Sequence, residues 1–196
     1  MSTKDKNGIK IYSEEEFRTL FERIQRHKFQ DVYVENLVLE ETDVYGKSTS
    51  IDNNVYIDLD HINKYHLTVL ATAGIIANKL AHQWYFQSNP KKPQKNNLWN
   101  NNISINNRRE LENITDSITI KRGYGRPLLT ERRTYIIRFA DNPQKLELLQ
   151  EIRNSPQDLE LKIGKYERTR ENLAKDSREL HAVMNYTDGL SYLKSD

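Results

Sequence analysis

The segment from Lys121 to Arg126 combines residue types that suit contact with an anionic partner. Gly123 and Gly125 flank Tyr124, so the backbone can turn there and we predict that the tyrosine ring projects between cations. An aromatic ring beside such cations can stack on a nucleotide base while the cations contact phosphates. The alternative interpretation is a hairpin turn that carries solvated arginines. No helix-turn-helix, RNA-recognition or KH motif accompanies the segment, so any nucleic-acid contact is expected to be with the backbone.

The cations around this segment form a larger predicted basic surface. Residues 89–138 carry eleven basic and four acidic side chains, whereas residues 30–88 carry three basic and eight acidic ones. Such a contrast indicates a polyanionic partner, or an acidic patch on a neighbouring copy of the chain. The predicted basic surface consists of Lys91, Lys92, Lys95, Arg108, Arg109, Lys121, Arg122, Tyr124, Arg126, Arg132 and Arg133.

A second hypothesis is a metal-dependent nuclease, or another enzyme that processes nucleic acid. Glu160 and Lys162 have the acid-x-lysine spacing in which the acid holds a metal ion and the lysine neutralises developing charge. Asp141 ends the preceding predicted strand and is the candidate second acid. The alternative interpretation is that Glu160 and Lys162 form the solvent-facing side of a strand. We therefore favour a non-enzymatic protein while keeping these three residues as candidate catalytic groups.

Histidine and aspartate residues are candidate metal ligands, because imidazole and carboxylate groups bind zinc or manganese. His61 and His66 are five residues apart, whereas ligands on one helix face are four apart. We therefore predict no metal site and no cofactor, and interpret His61, His66 and His82 as helix-start and surface residues. Asp58 and Asp60 are interpreted as the solvated face of a strand.

Composition limits the compartment and the class of protein. The 196-residue chain has no cysteine, which excludes disulfides and cysteine-ligated zinc. Its first ten residues are polar, so we expect no secretory signal, and its longest apolar stretch is shorter than the roughly 20 residues that span a bilayer. We predict a cytoplasmic location, or one within a particle, without membrane contact. A mean hydropathy of −0.85 favours burial against other subunits.

The first half of the chain predicts a helix, two strands and a core helix. Ser13 and Glu16 form a capping box, which predicts a helix through about Lys28. Val- and Leu-rich segments at residues 31–41 and 55–59 predict strands of a hairpin or meander. An apolar pattern over residues 63–87 predicts the central helix. Residues 89–107, rich in Asn, Lys and Pro, predict a linker or arm with a short strand near Ile105.

The second half predicts a further mixture of strands and helices. Alternating apolar residues predict strands at residues 118–120, 135–139 and 159–163. Pro143 predicts the start of a helix, and Ser155-Pro156 predicts its end. Together these elements predict a parallel crossover over residues 134–163, followed by a charged final helix over residues 166–186.

These elements predict an α+β protein with two mixed helix and strand halves. The halves are residues 1–88 and 108–196, joined by the arm, and they are also compatible with a single domain. We predict a structural or assembly subunit of virion, phage-connector or nucleoprotein type. Its basic middle segment contacts nucleic acid or an acidic neighbouring subunit, and its partners include other copies of itself.

Overall fold

The computed structural model describes residues 3–4, 10–42, 45–48, 52–90, 104–138 and 142–167, which form a mixed helix and strand fold. The strands are β1 (Thr3–Lys4), β2 (Lys10–Ile11), β3 (Leu37–Leu39), β4 (Gly46–Ser48) and β5 (Val55–Ile57). The helices are α1 (Glu14–Lys28), α2 (Leu59–Lys64), α3 (Val69–Ser88), α4 (Ile105–Thr119), α5 (Gly125–Arg138), α6 (Pro143–Ile152) and α7 (Pro156–Glu167), with a π-helical turn (Ile120–Tyr124) between α4 and α5.

Helix α1 begins at the predicted capping box. The backbone N–H of Glu16 donates to Ser13 Oγ at 3.2 Å, and the backbone N–H of Ser13 donates to Glu16 Oε2 at 3.1 Å. Both bonds satisfy backbone donors that have no partner within the helix. The apolar face packs into the core through Phe17, Leu20, Phe21 and Ile24. The predicted helix is confirmed.

The small sheet differs from the predicted hairpin. Strand β5 lies in the centre, with β3 parallel on one side and β4 antiparallel on the other. The two predicted strands are therefore parallel neighbours, which a tight hairpin turn cannot produce. The antiparallel strand β4 comes from Gly46–Ser48, in the segment between the two predicted strands where a hairpin would have its turn.

Helix α3 is the predicted core helix. All thirteen residues from Ala71 to Gln83 are buried, so the helix is enclosed around its circumference. The predicted start at Asn63 is wrong, because His66 takes a left-handed backbone conformation with φ 53° after α2 ends. At Gly74, an added Cβ atom would lie 2.3 Å from the carbonyl oxygen of Pro127. The backbones of α3 and α5 therefore meet directly.

The described part of the second half is helical, so its three predicted strands and the parallel crossover are wrong. In α7, Leu159 and Ile163 are buried while Leu161 between them is 71% exposed. Residues four apart share one helix face, so the alternating apolar residues belong to a helix. The predicted helix start at Pro143 is confirmed.

Some predictions fall on residues that the structure leaves undescribed. Residues 91–103 of the arm and residues 168–186 of the predicted final helix lie outside the described ranges. Ile105, predicted in a strand, begins α4. The division at residues 88 and 108 stays a prediction. Within the described ranges, no helix is both long enough and apolar enough to cross a membrane.

Candidate functional site: a basic groove and a buried charged cluster

Tyr124, the centre of the predicted basic surface, is fully buried. Its ring centroid lies 6.0 Å from that of Phe29, and its hydroxyl group lies 3.3 Å from His27 Nδ1. Burial raises the pKa of Tyr124 above its ordinary value. Gly123, with φ 88°, forms a kink inside the turn Ile120–Tyr124 that leads into α5, in place of the hairpin turn of the alternative interpretation. The prediction that Tyr124 projects into solvent is therefore wrong.

Arg122 forms an ion pair within the protein. Its Nη1 and Nη2 atoms donate to Asp31 Oδ1 and Oδ2 at 2.6 and 2.7 Å. Its guanidinium group also lies 4.7 Å from the ring centroid of Phe29 and 5.5 Å from that of Trp84. The hydrogen bond from Arg122 holds the pKa of Asp31 below its ordinary value. Arg122 therefore joins the second half of the chain to the segment after α1.

Other predicted surface cations are also paired or buried. Arg126 lies 2.8 Å from Glu167, and Arg133 pairs with Glu160. Arg108 and Arg132 are 8% and 3% exposed. Lys91, Lys92 and Lys95 lie outside the described residues. The predicted set of cations does not form one continuous exposed surface.

Two of the predicted cations, Arg109 and Lys121, do line a common feature. An open groove of about 710 Å³ runs along the outer face of α4. Within the described ranges, neither cation forms an ion pair within 4.0 Å. We call this feature the α4 groove, and it is lined by Trp84, Asn106, Arg109, Glu110, Asn113, Ile114, Ser117, Ile118, Lys121 and Lys162.

The geometry assumed for the nuclease hypothesis is also wrong. Glu160 and Lys162 lie on α7, where residues two apart point in widely different directions. Glu160 pairs with Arg133, whereas Lys162 Nζ donates to Asn113 Oδ1 at 3.1 Å and faces the α4 groove. Asp141 lies outside the described residues.

The interior holds a cluster of charged side chains that the sequence analysis missed. Its members come from α3, α4 and α5 and from the residue that follows α6. Each is at most 8% exposed, although charged residues are seldom fully buried without partners. We call it the buried cluster, and it consists of Lys79, His82, Glu112, Asp116, Glu131, Arg132 and Arg153.

Helices α3 and α4 make polar contacts with each other at this cluster, including one between Thr115 Oγ1 and His82 Nε2 at 3.3 Å. His82 Nε2 lies 3.3 Å from Glu112 Oε1. One turn earlier on α3 and one turn later on α4, Asn78 Nδ2 donates to Asp116 Oδ1 at 3.3 Å. Arg132 Nη2 donates to the same Asp116 oxygen at 3.0 Å. Asp116 therefore ties three helices together.

Other members of the buried cluster leave hydrogen-bonding capacity unused. Arg153 Nη1 donates to Glu131 Oε1 at 3.2 Å. Within the described residues, His82 Nδ1, Glu112 Oε2 and Arg132 Nε have no hydrogen-bond partner. Buried polar atoms are usually hydrogen-bonded, so these atoms are exceptions, although Arg153 Nε lies 3.8 Å from Glu112 Oε2 and balances its charge.

Burial and neighbouring charges shift the pKa values in the buried cluster. Burial lowers the pKa of Lys79 to about 8 and lowers the pKa of His82. Burial alone would raise the pKa of Glu112, but Arg153 and His82 outweigh it and bring the value well below the ordinary one. At neutral pH the cluster therefore contains a charged lysine, a neutral histidine and an ionised Glu112.

The proposed surface role of His82 is wrong, since the residue is 1% exposed. Asp58 caps α2 by accepting from the backbone N–H of His61 at 2.7 Å, so it does not belong to a strand face. The signal for the cluster was the spacing of four residues between Asn78 and His82, repeated by two acids in α4.

Within the described ranges, no group of three or more His, Cys, Asp or Glu residues is arranged to hold a metal ion. No family model matches the chain, and neither a curated protein nor a solved structure matches it. Function is therefore inferred from the groove and the cluster themselves.

Proposed function

We propose that the protein is a non-enzymatic subunit of a nucleoprotein-type assembly, and that its α4 groove binds the backbone of single-stranded nucleic acid. The observation that carries this proposal is the shared position of Arg109 and Lys121. Both stand outside ion pairs in the described part of the chain, and both line one open groove. Cations that are already neutralised by internal carboxylates contribute little to binding of a polyanion, whereas these two remain available.

The groove is long enough to contact several nucleotides of a single strand. Arg109 and Lys121 are twelve residues apart along α4 and the following turn, which corresponds to about 18 Å at the helical rise of about 1.5 Å per residue. Several successive phosphates of an extended strand fit within that length. Lys162, from α7, supplies a third cation on the groove wall.

The groove lining also contains side chains that can contact nucleotide bases. Ile114 and Ile118 lie one turn apart on α4, and the half-buried Trp84 lines the same groove. Grooves that bind single strands without sequence preference combine cations for the backbone with aromatic or apolar surfaces for the bases. Glu110 is the one acidic side chain in the lining, so the groove keeps a positive balance.

The test compares two double variants with the same change in net charge. Arg109→Ala/Lys121→Ala removes the available cations, whereas Arg126→Ala/Arg133→Ala removes cations that are exposed but paired. Binding of fluorescein-labelled oligo-dT and oligo-U is measured by fluorescence anisotropy across a salt series. For a single strand and three cations, the wild-type slope of log K against log salt is expected to be about −2.

The first double variant is expected to reduce this slope by about 1.4, because each lost phosphate contact contributes about 0.7. The control variant keeps the wild-type slope. An equal loss in both variants would contradict a specific role for the groove. Binding of polyglutamate without binding of either oligonucleotide would instead identify an acidic protein partner.

A further inference from the structure

The indole ring of Trp84 is held by contacts from two other parts of the chain. Its Nε1–H group donates to Asp31 Oδ2 at 2.8 Å. The guanidinium group of Arg122 lies over the ring, 5.5 Å from the ring centroid, which is within the distance of a cation–π contact. These contacts fix one edge and one face of the indole ring.

Arg122 is itself fixed on several sides. Its two terminal nitrogens donate to the two carboxylate oxygens of Asp31, and Nη1 also donates to the backbone carbonyl group of Lys28. The same guanidinium group lies 4.7 Å from the ring centroid of Phe29. Asp31 therefore accepts hydrogen bonds from both Arg122 and Trp84, and one carboxylate sets the position of both side chains.

Trp84 also faces the α4 groove. The side chain is half-buried and lines the groove together with Lys121. Lys121 directly precedes Arg122 in the π-helical turn, so this turn supplies both a cation to the groove and the guanidinium group that supports the indole. Among the described residues that line the groove, Trp84 is the one with an aromatic side chain.

An indole ring that is fixed in advance suits stacking on a nucleotide base. A side chain that is ordered before binding loses little conformational entropy when the ligand binds. Every base has a flat π face, so an aromatic ring gains affinity from bases of any sequence. The groove cations, in contrast, attract phosphates whether or not the strand carries bases.

We propose that Trp84 is the base-stacking platform of the α4 groove, and that Asp31 and Arg122 are positioning residues that hold its ring for this contact. The groove therefore distinguishes a strand that carries bases from a polyanion of equal charge. This inference rests on the proposed function. It gives Arg122 a role that acts through Trp84, in place of the direct phosphate contact predicted from the sequence.

The test compares two strands with the same number of phosphates. One is oligo-dT, and the other is an abasic strand of equal length built from tetrahydrofuran analogues of deoxyribose. The affinity of the full chain for each strand is measured by fluorescence anisotropy at low salt. The wild type is expected to bind oligo-dT about 5- to 100-fold more tightly than the abasic strand, which is the effect of one stacked base. Trp84→Leu is expected to lose most of this preference.

Two variants of Asp31 separate the positioning of the ring from the effect of charge. Asp31 is 56% exposed, so both substitutions are expected to leave the fold intact. Asp31→Ala removes the acceptor for Trp84 and is expected to reduce the preference for oligo-dT about 2- to 10-fold, the cost of ordering one side chain. Asp31→Asn keeps an oxygen acceptor and is expected to retain most of the preference. Both variants lose the same charge, which affects the two strands equally and leaves their affinity ratio unchanged.

The fluorescence of Trp84 reports the stacking directly. The chain contains one other tryptophan, Trp99, so Trp99→Phe leaves Trp84 as the single indole. Unlabelled oligo-dT is expected to quench this fluorescence on binding, because a stacked base lies in contact with the ring. The abasic strand is expected to bind without quenching.

The possible failures are distinguishable. Equal affinity of the wild type for both strands, or binding of oligo-dT without quenching, overturns the inference while backbone binding by the groove stands. An unchanged preference in Asp31→Ala shows that Asp31 does not position the ring. If neither strand binds, the proposed function fails and the inference fails with it. The wild-type comparison and the quenching decide the matter even if Trp84→Leu does not fold.

Discussion

Raising the pH from 7.5 to 9.5 is expected to stabilise the folded protein through Lys79. Burial lowers the pKa of this residue from its ordinary 10.5 to about 8. In the unfolded chain the lysine keeps its proton to higher pH, so the folded state releases the proton first. The free-energy cost of burying the charged ammonium group applies in full below about pH 8. It falls as the lysine loses its proton at higher pH, so the stability of the folded state rises with pH.

The magnitude follows from the two pKa values. One pKa unit corresponds to about 1.4 kcal/mol, so the full shift corresponds to about 3 kcal/mol between the two protonation limits. Between pH 7.5 and 9.5 the free energy of unfolding is expected to rise by about 2 kcal/mol from Lys79 alone. The pH range ends at 9.5 because the raised pKa of Tyr124 lowers stability at higher pH. Near pH 10 this tyrosine ionises in the unfolded chain but keeps its proton in the folded state.

The assay is urea unfolding followed by circular dichroism at pH 7.5, 8.5 and 9.5. The wild type is compared with Lys79→Met, which keeps the length of the side chain and removes the titrating group. The rise is expected in the wild type and not in Lys79→Met. Lys165→Met changes an exposed lysine of α7 and is expected to keep the rise.

Two results would refute this reasoning. A rise that persists in Lys79→Met would assign the effect to another group. Parallel curves without any rise would show that Lys79 reaches solvent and keeps its ordinary pKa, which would contradict its 7% exposure in the buried cluster.

Two further predictions concern stability. Gly74→Ala is expected to destabilise the fold by about 1–3 kcal/mol in urea unfolding, because the new Cβ atom would collide with the Pro127 backbone. The control Gly164→Ala, inside α7, is expected to be neutral or stabilising by up to about 1 kcal/mol. A change in the free energy of unfolding with the same sign in both variants would contradict the close contact of α3 and α5. Arg122→Ala is expected to lower stability by about 1 kcal/mol, since its partner Asp31 is 56% exposed and solvent weakens the pair; an unchanged unfolding midpoint would show that the pair contributes nothing.

Local signals predicted several elements correctly. The capping box at Ser13 and Glu16 predicted the start of α1, and Pro143 predicted the start of α6. These signals depend on residues a few positions apart, so the sequence alone contains them. The apolar pattern over residues 63–87 likewise predicted that α3 is the core helix.

Helix α4 was missed for a physical reason. Its buried face contains Arg108, Glu112 and Asp116, with few apolar residues among them. Hydrophobic periodicity detects a helix only when the buried face is apolar. The two isoleucines at positions 118 and 120 then suggested a strand, although both belong to helical turns.

The sequence by itself determined where α1 and α6 begin, that α3 lies in the core, and that the middle segment is rich in cations. Only the tertiary structure decided which of those cations remain available. Arg122 meets Asp31 across 91 positions of sequence, and His82 meets Glu112 through the packing of α3 on α4. Electrostatic interactions depend on distance in space and on burial, and neither quantity can be read from the order of residues along the chain.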